Sequence, residues 1–432
     1  MKETEVAEYL DEIGRMGIVP GLDSIRELCR RLGDPQKELK FVHIAGTNGK
    51  GSAVAYIASA LKCGGYRVGK YISPVIFEYR ERIQVNDRMI SKRALCQHME
   101  RIREVCDKMV AEGLPQPTPF EVETALGFLY FQEKCCDIVV METGMGGLLD
   151  ATNVVENTCV AVLASISMDH MKFLGDTLGQ IAAQKAGIMK KGCHVVTVKQ
   201  KREVSEVIEK KAAKLGCPLT VADVGKAEHV RYGLERQCFD YGGWKKVEIS
   251  LAGQYQIDNG VLALEVMRAL GEKGYNVAES KLREGFLNAR WPGRFSVVGK
   301  KPYFIVDGAH NEDAAGRLAQ SVEFYFTNRR IIYIMGVLRD KEYEKIIRLT
   351  QGLADQIITV AAPDNPRALP AYQLAREIAG VHEKVTAADS LEEAVEMSYL
   401  LADKEDVIVA FGSLSFLGRL IKIVEERTSH KV

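Results

Sequence analysis

Short apolar runs rich in β-branched residues recur along this chain, separated by longer segments of helical periodicity. They include KFVHIA, DIVVMETG, CVAVLASIS and HVVTV, each bounded by turn residues. This alternation is typical of parallel βαβ units, in which helices cover both faces of a sheet. The pattern weakens over residues 288–311, where proline and glycine cluster, and resumes with RIIYIMGV, QIITVAA and DVIVAFGS. We therefore predict an α/β fold with two domains.

The two predicted domains differ in size and type. Residues 1–295 are predicted to form an N-terminal ATP-binding domain with a mostly parallel sheet, like that of P-loop nucleoside triphosphatases. Residues 296–432 are predicted to form a smaller, Rossmann-like C-terminal α/β domain. The length of 432 residues supports this division, because single hydrophobic cores rarely grow beyond roughly 300 residues.

Charge and composition exclude several classes of function. The chain carries 58 Lys and Arg against 58 Asp and Glu, so no overall basic field would attract nucleic acid or anionic lipid. No apolar run approaches the roughly 20 residues that span a bilayer, and the N-terminus lacks the apolar stretch of a signal peptide. The 10 cysteines show no CxxC spacing, so we expect core thiols in a reducing compartment. We predict a cytoplasmic protein with a small-molecule substrate and without nucleic-acid or membrane partners.

The stretch HIAGTNGKGS, residues 43–52, lies between a strand pattern and the helical pattern SAVAYIASALKCGG. It departs from the P-loop pattern GxxxxGK[ST], because Ile44 occupies the first glycine position and Gly51 separates Lys50 from Ser52. The order of strand, glycine loop and helix nevertheless favours an anion site at a helix N-terminus. A glycine-rich turn without a ligand is the alternative.

In the phosphate-binding interpretation, the glycines, beginning with Gly46, let backbone N–H groups approach an anion. Lys50 would neutralise the terminal phosphates, and Ser52 would assist at phosphate or metal. The residues of this loop predicted to bind ATP are Thr47, Asn48, Gly49, Lys50, Gly51 and Ser52.

HIAGTNGKGS is similar to the ATP loop of the amide-bond-forming Mur ligase superfamily, particularly its folylpolyglutamate synthase and dihydrofolate synthase branch. Further stretches resemble this branch in the same order: YISPVIFEYRERIQVND, TPFEVETALGFLYF, METGMGGLLDATN, SISMDHMKFLGDTLGQIAAQKAGIMK, AGQYQIDN, WPGRF, VDGAHN and FGSLSFLG. The resemblance implies an ATP-dependent ligase that joins L-glutamate to folate, to dihydropteroate, or to both, through an acyl phosphate. Because such relatives are often monomers, we expect a monomer.

The resemblance also implies two Mg²⁺ sites, with Ser73, Glu142 and His170 as ligands and Lys185 carbamylated into an oxygen donor. Taken alone, Glu142 suits this role, since it ends an apolar strand before a glycine turn and Mg²⁺ prefers oxygen. The other three are ambiguous. Ser73 is also an ordinary serine before proline, imidazole is an unusual Mg²⁺ ligand, and Lys185 alone looks like a solvent-facing helix lysine. Asp169 is expected to orient the His170 loop or the ion.

Four further residues are assigned to ATP by the resemblance. The side-chain amide of Asn259 would hydrogen-bond adenine, and Arg294, Asp307 and His310 would contact the rest of the nucleotide. A hinge salt bridge for Arg294 and a turn-forming role for Asp307 are the alternatives. The predicted catalytic residues are Lys50, Glu142, His170, Lys185 and Arg294.

The predicted acceptor side consists of two short stretches that match positions lining the pterin pocket of the branch. Phe120 could stack on a flat pterin, although a core aromatic at the start of a helix is equally compatible with the sequence. The residues predicted to bind folate are Gly21, Leu22, Asp23, Thr118, Pro119, Phe120 and Glu121.

Three positions depart from the pattern of the branch. Val75 replaces a histidine after Ser-Pro, Leu148 replaces an arginine, and Tyr255 replaces a frequent histidine. Leu148 removes a guanidinium that could hold substrate or phosphate, and Val75 changes a loop near the folate site. ATP binding is therefore expected, while the identity of the acceptor stays open.

Two other functions compete with this prediction. A Mur ligase acting on a uridine-nucleotide peptidoglycan precursor usually carries an extra N-terminal domain, for which the short leader before Gly46 is expected to leave no room. A non-catalytic P-loop module that binds ATP for regulation would have no need for Glu142, His170 and Lys185 together.

Overall fold

The computed structural model describes residues 1–15 and 21–429. Contacts between residues divide the chain into two compact units. The first comprises Met1–Ala227 with Asp258–Asn288, and the second comprises Glu228–Ile257 with Ala289–Val432. The division into functional domains 1–295 and 296–432 stays a prediction.

Helices occur throughout both units. In chain order they are α1 (Glu3–Gly14), α2 (Asp23–Arg31), α3 (Lys50–Cys63), α4 (Lys92–Ala111), α5 (Pro119–Glu133), α6 (Met171–Leu174), α7 (Leu178–Lys185), α8 (Arg202–Leu215), α9 (Gln256–Glu272), α10 (Glu279–Asn288), α11 (Glu312–Tyr325), α12 (Tyr343–Thr350), α13 (Ala371–Ala379), α14 (Leu391–Leu401) and α15 (Leu414–Ser429). Within the described residues, none of these helices combines the length and the apolar character needed to cross a membrane.

The strands of the described residues form three sheets. In chain order they are β1 (Phe41–Ala45), β2 (Val68–Tyr71), β3 (Ile83–Val85), β4 (Arg88–Met89), β5 (Ile138–Glu142), β6 (Thr158–Leu163), β7 (His194–Val198), β8 (Leu219–Ala222), β9 (Glu228–Arg231), β10 (Gln237–Tyr241), β11 (Trp244–Ile249), β12 (Ser296–Lys300), β13 (Tyr303–Asp307), β14 (Ile331–Met335), β15 (Gln356–Thr359), β16 (Val385–Ala387) and β17 (Val407–Phe411).

The sheet of the first unit has the strand order β4-β3-β2-β5-β1-β6-β7-β8. In this order, β2, β5, β1, β6, β7 and β8 pair in parallel with one another. At the edge, β3 pairs antiparallel with both β2 and β4. All residues of β1 and β5 are buried, as expected for strands covered by helices on both faces. The prediction of a mostly parallel N-terminal sheet is confirmed.

The predicted strand, glycine loop and helix around residues 43–65 are also confirmed. Strand β1 ends at Ala45, and α3 begins at Lys50. The helix ends at Cys63 with Gly64 as its C-cap, and the next residue, Gly65, has φ +94°, a left-handed conformation that favours glycine after a helix.

The second unit contains a sheet of order β12-β13-β17-β14-β15-β16, in which only β12 runs antiparallel. This arrangement confirms the predicted C-terminal α/β sheet. The separate antiparallel sheet β11-β10-β9 was not predicted from the sequence. Gly242 and Gly243 have φ +55° and +93° between β10 and β11, which is typical of a tight hairpin turn.

The cysteines only partly match the expectation of core thiols. All 10 lie within the described residues and are free. Cys29, Cys106, Cys193 and Cys217 are among the buried ones, whereas Cys135 is exposed. Cys135 follows α5 with φ +48°, so it belongs to a surface turn and the expectation was wrong there.

We expect Gly285→Ala to lower the free energy of unfolding by about 1–3 kcal/mol through overpacking. The Cβ atom added on α10 would lie 2.5 Å from Ala60 Cα on α3. In the control Gly271→Ala, on α9, the nearest atom is Asn276 Oδ1 at 3.7 Å, and the higher helix propensity of alanine should stabilise the fold by up to about 1 kcal/mol. Urea unfolding measures the free energy of unfolding of both variants. Equal midpoints would contradict the close packing of α3 and α10.

Candidate active site

The loop between β1 and α3 is held by hydrogen bonds to the segment that follows β6. Thr47 N donates to Ser165 O at 2.7 Å, and Thr47 Oγ1 donates to Ser167 O at 3.0 Å. A Cβ atom at Gly46 would lie 2.8 Å from Ala164 Cβ, so only glycine allows this approach. The loop therefore has one conformation specified by its neighbours.

The loop ends at the N-terminus of α3. Gly49 is the N-cap, with φ +87°, and Lys50, Gly51 and Ser52 follow in the first turn. The first backbone N–H groups of a helix have no intrahelical acceptor, and the helix dipole favours an anion there. A Cβ atom at Gly49 would lie 2.6 Å from Asn259 Oδ1. Asn259 thus lies against the loop between β1 and α3, which we call the phosphate loop, and its contact with adenine stays a prediction.

Lys50 and Glu142, predicted from separate motifs, are close together. Strands β1 and β5 are paired in register, with Ile44 opposite Glu142. Lys50 Nζ lies 3.8 Å from Glu142 Oε1 and donates to Thr47 O at 3.2 Å. Glu142 is only 4% exposed, so a carboxylate and an ammonium group share a largely dehydrated site beside the loop.

Lys185 also reaches the loop. Its side chain is buried, with 4% exposure, and Nζ donates to Gly46 O at 2.8 Å. Burial and the charge of Lys50 lower the pKa of Lys185 to about 7, against the opposing influence of Asp169 and Asp150. The interpretation of Lys185 as a solvent-facing helix lysine was wrong, because the end of α7 packs beneath the loop.

The other predicted metal ligands do not complete a metal cluster. His170 precedes α6 with φ +50°, and its exposed ring places Nε2 3.9 Å from Asp169 Oδ1. Ser73 follows β2, is half-buried and precedes Pro74. In the part of the chain that the structure describes, no three His, Cys, Asp or Glu side chains are arranged to hold a metal ion. Their ligand roles stay predictions.

Two of the predicted folate residues cap helix α5. Glu121 Oε2 accepts hydrogen bonds from Thr118 N at 2.8 Å and from Thr118 Oγ1 at 2.9 Å, and Pro119 is the first helical residue. This is a capping box, which satisfies donors at the start of the helix. The half-buried ring of Phe120 lies over Gly144, where a Cβ atom would come within 2.5 Å of it.

The second predicted folate stretch lies next to the first. Gly21 precedes α2 with φ +144°, and Leu22 is buried in the core on which Phe120 packs. Asp23 is exposed and forms an ion pair with Arg26 at 3.4 Å. Burial raises the pKa of Glu121, while hydrogen bonds from backbone groups, including that of Ile25 in α2, oppose the shift. The structure therefore brings the two stretches together, and their contact with a ligand stays a prediction.

In the second unit, Arg294, Asp307 and His310 converge at the end of β13. Asp307 Oδ2 accepts hydrogen bonds from Tyr255 Oη at 2.9 Å and from Phe295 N at 2.7 Å. A Cβ atom at Gly308 would lie 2.5 Å from Arg294 Nη1. His310 Nδ1 lies 2.7 Å from Gly308 O, so Nδ1 carries the proton that it donates.

Comparison with known proteins decides the family. Residues 44–267 match the Mur ligase middle domain, and residues 293–414 match the Mur ligase glutamate ligase domain. A dihydrofolate synthase/folylpolyglutamate synthase of Bacillus subtilis is 34% identical over 420 residues, which cover 94% of this chain and 96% of the relative. The chain belongs to the Mur ligase family.

Solved structures of folylpolyglutamate synthases are similar to that of this Mur ligase. Mycobacterium tuberculosis folylpolyglutamate synthase complexed with ADP has a TM-score of 0.90 at 28% identity, covering 98% of both chains. An FPGS solved as a complex with AMPPCP and folate has a TM-score of 0.84 at 27% identity, covering 97% of this chain and 98% of that one. The fold and the predicted family resemblance are thus confirmed.

An ion pair between Arg82 and Glu123, largely buried beside Phe120, was not predicted from the sequence. Arg82 Nε lies 3.4 Å from Glu123 Oε1, and the guanidinium carbon lies 5.8 Å from the centroid of the Phe120 ring. Arg82 Nε and Nη1 have no hydrogen-bond partner among the described residues. Buried charges are usually paired and hydrogen-bonded, so these donors are suited to an acceptor atom of a ligand. The available signal was Glu123 itself, a carboxylate in the largely apolar helix α5.

We expect Lys50→Ala to weaken the binding of ADP or AMPPCP by about 10- to 100-fold, since a charged hydrogen bond contributes roughly 1.5–3 kcal/mol. The matched control is Lys62→Ala at the other end of α3, where Lys62 pairs with Asp87 at 2.8 Å. Isothermal titration calorimetry measures both affinities. If the two variants bind ADP equally well, Lys50 does not contact the nucleotide.

Proposed function

We propose that this Mur ligase joins L-glutamate to folates in an ATP-dependent reaction, and that dihydropteroate is a second acceptor. The observation that carries the proposal is the convergence of Lys50, Glu142 and Lys185 on a glycine loop at a helix N-terminus. The bifunctional name of the Bacillus subtilis relative supports both acceptors. No observation favours a uridine-nucleotide acceptor or a purely regulatory ATP module.

The proposed reaction proceeds through an acyl phosphate. An oxygen of the acceptor carboxylate attacks the γ-phosphorus of ATP, and ADP leaves. The amine of glutamate then attacks the acyl carbon, phosphate leaves, and the nitrogen loses a proton. Such chemistry depends mainly on positioning and on electrostatic stabilisation, which Lys50 and the first turn of α3 supply to the phosphates.

The donor set at this site fits Mg²⁺. When bound, Mg²⁺ would neutralise charge on the phosphate oxygens. Glu142 offers a buried carboxylate at a strand end beside the phosphate loop, and Ser73 offers a hydroxyl at the end of the adjacent strand β2. His170 and a carbamate on Lys185 would hold a second ion.

Carbamylation of Lys185 is supported by its surroundings. An amine reacts with CO₂ in its neutral form, and burial favours that form here. The nitrogen bonds to the carbon of CO₂ and loses a proton, so a neutral amine becomes an anion. The carbamate would then lie near the ammonium group of Lys50, and the attraction between the opposite charges favours it.

On the acceptor side, we propose that Phe120 stacks on the pterin ring and that Arg82 binds a polar atom of the same ligand. Leu148 is 41% exposed and Val75 is half-buried, so neither departure lies in the hydrophobic core. Their effect should be confined to the acceptor. Leu148 leaves the turn after β5 without the guanidinium that the resemblance implies there.

In the second unit, we propose that Arg294 binds a phosphate and that Asp307 and His310 bind polar groups of the nucleotide. Their convergence at the end of β13, where ligands of parallel sheets collect, supports these roles.

We infer a cytoplasmic location, supported by the free cysteines, and a monomer, supported by the family resemblance. Light scattering after size-exclusion chromatography tests the oligomeric state.

We expect turnover with ATP, Mg²⁺ and L-glutamate when either tetrahydrofolate or dihydropteroate is the acceptor. ADP release measures the rate, and mass spectrometry of the product should show the mass of one added glutamyl residue. Reactions without glutamate serve as controls. Turnover with only one acceptor would limit the proposal to that acceptor, and no glutamate-dependent turnover with either would overturn it.

We expect Lys185→Ala to lower kcat by about 10²-fold, as loss of an electrostatic group at a reacting phosphate does, and excess bicarbonate should not restore it. In wild type, carbon-13 NMR with labelled bicarbonate should show a carbamate signal that grows as pH rises through about 7, because deprotonation exposes the reactive amine. The control Lys210→Ala changes an exposed lysine of α8. A signal that persists in Lys185→Ala would place the carbamate elsewhere.

A further inference from the structure

The turn after β5, residues 143–149, contacts several parts of the candidate site. Thr143 N donates to Ile44 O at 3.0 Å, which joins the turn to the strand before the phosphate loop. The ring of Phe120 lies over Gly144, and Leu148 N donates to Gln184 O at 2.7 Å, next to Lys185. A displacement of this turn would therefore disturb both the acceptor side and the lysine.

The buried carboxylate of Asp150 holds this turn through hydrogen bonds. Its Oδ2 accepts a hydrogen bond from Met145 N at 2.8 Å, and its Oδ1 accepts one from Thr152 N at 3.0 Å. Burial raises the pKa of Asp150, while these hydrogen bonds oppose the shift. The carboxylate thus links Met145, within the turn, to Thr152, which follows the turn.

A directed chain of hydrogen bonds extends from Asp150 into the sheet. The Thr152 hydroxyl donates to Asp150 Oδ1, so its oxygen must accept from the ring of His43, whose Nε2 lies 2.8 Å away. His43 is therefore the neutral tautomer with a proton on Nε2, an assignment that follows from the network. Complete burial lowers the pKa of His43 to about 3, in agreement with a neutral ring.

His43 is an unusual residue for its position. It lies in the middle of β1, the central strand, and is fully buried on the same face as Phe41 and Ala45. Its Nδ1 has no hydrogen-bond partner among the described residues. An unpartnered buried nitrogen destabilises the fold, and an apolar residue would suit a buried strand better. The imidazole is thus explained by its bond to Thr152.

We infer that His43 and Thr152 are positioning residues, which act through Asp150 to hold the turn 143–149 in the conformation that the acceptor site needs. The inference deepens the proposed function and rests on it for the identity of the acceptor. Neither residue needs to touch the substrate. Their effect is to keep Gly144 against Phe120 and Leu148 against the Lys185 segment.

Hydrogen exchange of the turn tests the inference without relying on catalysis. Thr152→Val removes the hydroxyl at nearly constant shape, and Thr152→Ser keeps it. We expect amides in residues 143–155 to exchange about tenfold faster in Thr152→Val than in wild type or Thr152→Ser, since an orphaned buried partner costs at least that factor. Equal protection in all three proteins would overturn the inference.

Substitutions at His43 give a second, independent comparison. The amide nitrogen of Gln lies as many bonds from the backbone as His43 Nε2, so His43→Gln retains a donor to Thr152, whereas His43→Leu loses it. We expect faster exchange of residues 143–155 in His43→Leu only. If His43→Gln and His43→Leu behave alike, the hydrogen bond does not position the turn.

Steady-state kinetics separate positioning from general destabilisation. We expect Thr152→Val to raise the KM for the pteroyl acceptor about tenfold while the Kd of ADP stays unchanged, and Thr152→Ser to restore the KM. Thr350→Val is the matched control, because this buried hydroxyl donates within α12, to Ile346 O at 2.8 Å. A KM shift of the same size in Thr350→Val would overturn the inference. Absence of turnover in wild type would instead overturn the proposed function, and the exchange comparison would still decide the positioning role.

Discussion

The pairing of β1 between β5 and β6 is the interaction on which the candidate site depends. Register places Ile44 beside Glu142 on one side and Ala45 beside Leu163 on the other. The ladder then continues past the strand ends, where Ala164 N donates to Ala45 O at 2.8 Å. Because side chains on a strand alternate between faces, a shift by one residue would turn Glu142 away from the loop. Backbone pairing thus assembles groups that are about a hundred residues apart in the chain.

Electrostatics within this assembly limit which charge states can coexist. Lys50 and Lys185 both approach the phosphate loop, and the carboxylate of Glu142 lies near Lys50. Two ammonium groups at a partly dehydrated site repel each other, and burial adds a penalty for Lys185. A neutral Lys185 removes that repulsion. The two lysines at this loop therefore differ in burial, and their chemical roles stay predictions.

The sequence predicted the local order of the fold well and the packing between distant segments poorly. Strand β1, the glycine loop and α3 follow from periodicity and glycine placement, which are local signals. The burial of Lys185 did not follow from its helical pattern, because periodicity shows which residues share a face but not what covers that face. His43 was overlooked because one polar residue in an apolar run gives no sign of its partner Thr152. The sheet β11-β10-β9 was missed because its strands are short and the outer strands β9 and β11 are largely exposed, which leaves a weak apolar pattern.

The departure at Tyr255 shows how the second unit accommodates an unexpected residue. Asp307 is buried, and burial alone would disfavour its charged form. Tyr255 Oη, Phe295 N and Ala309 N all donate to its carboxylate, and Arg294 adds a favourable charge. These contacts oppose the effect of burial, which still raises the pKa of Asp307, and they fix the orientation of the carboxylate. The tyrosine is therefore a structural partner of Asp307, and the substitution changes how the carboxylate is held without removing it from the end of β13.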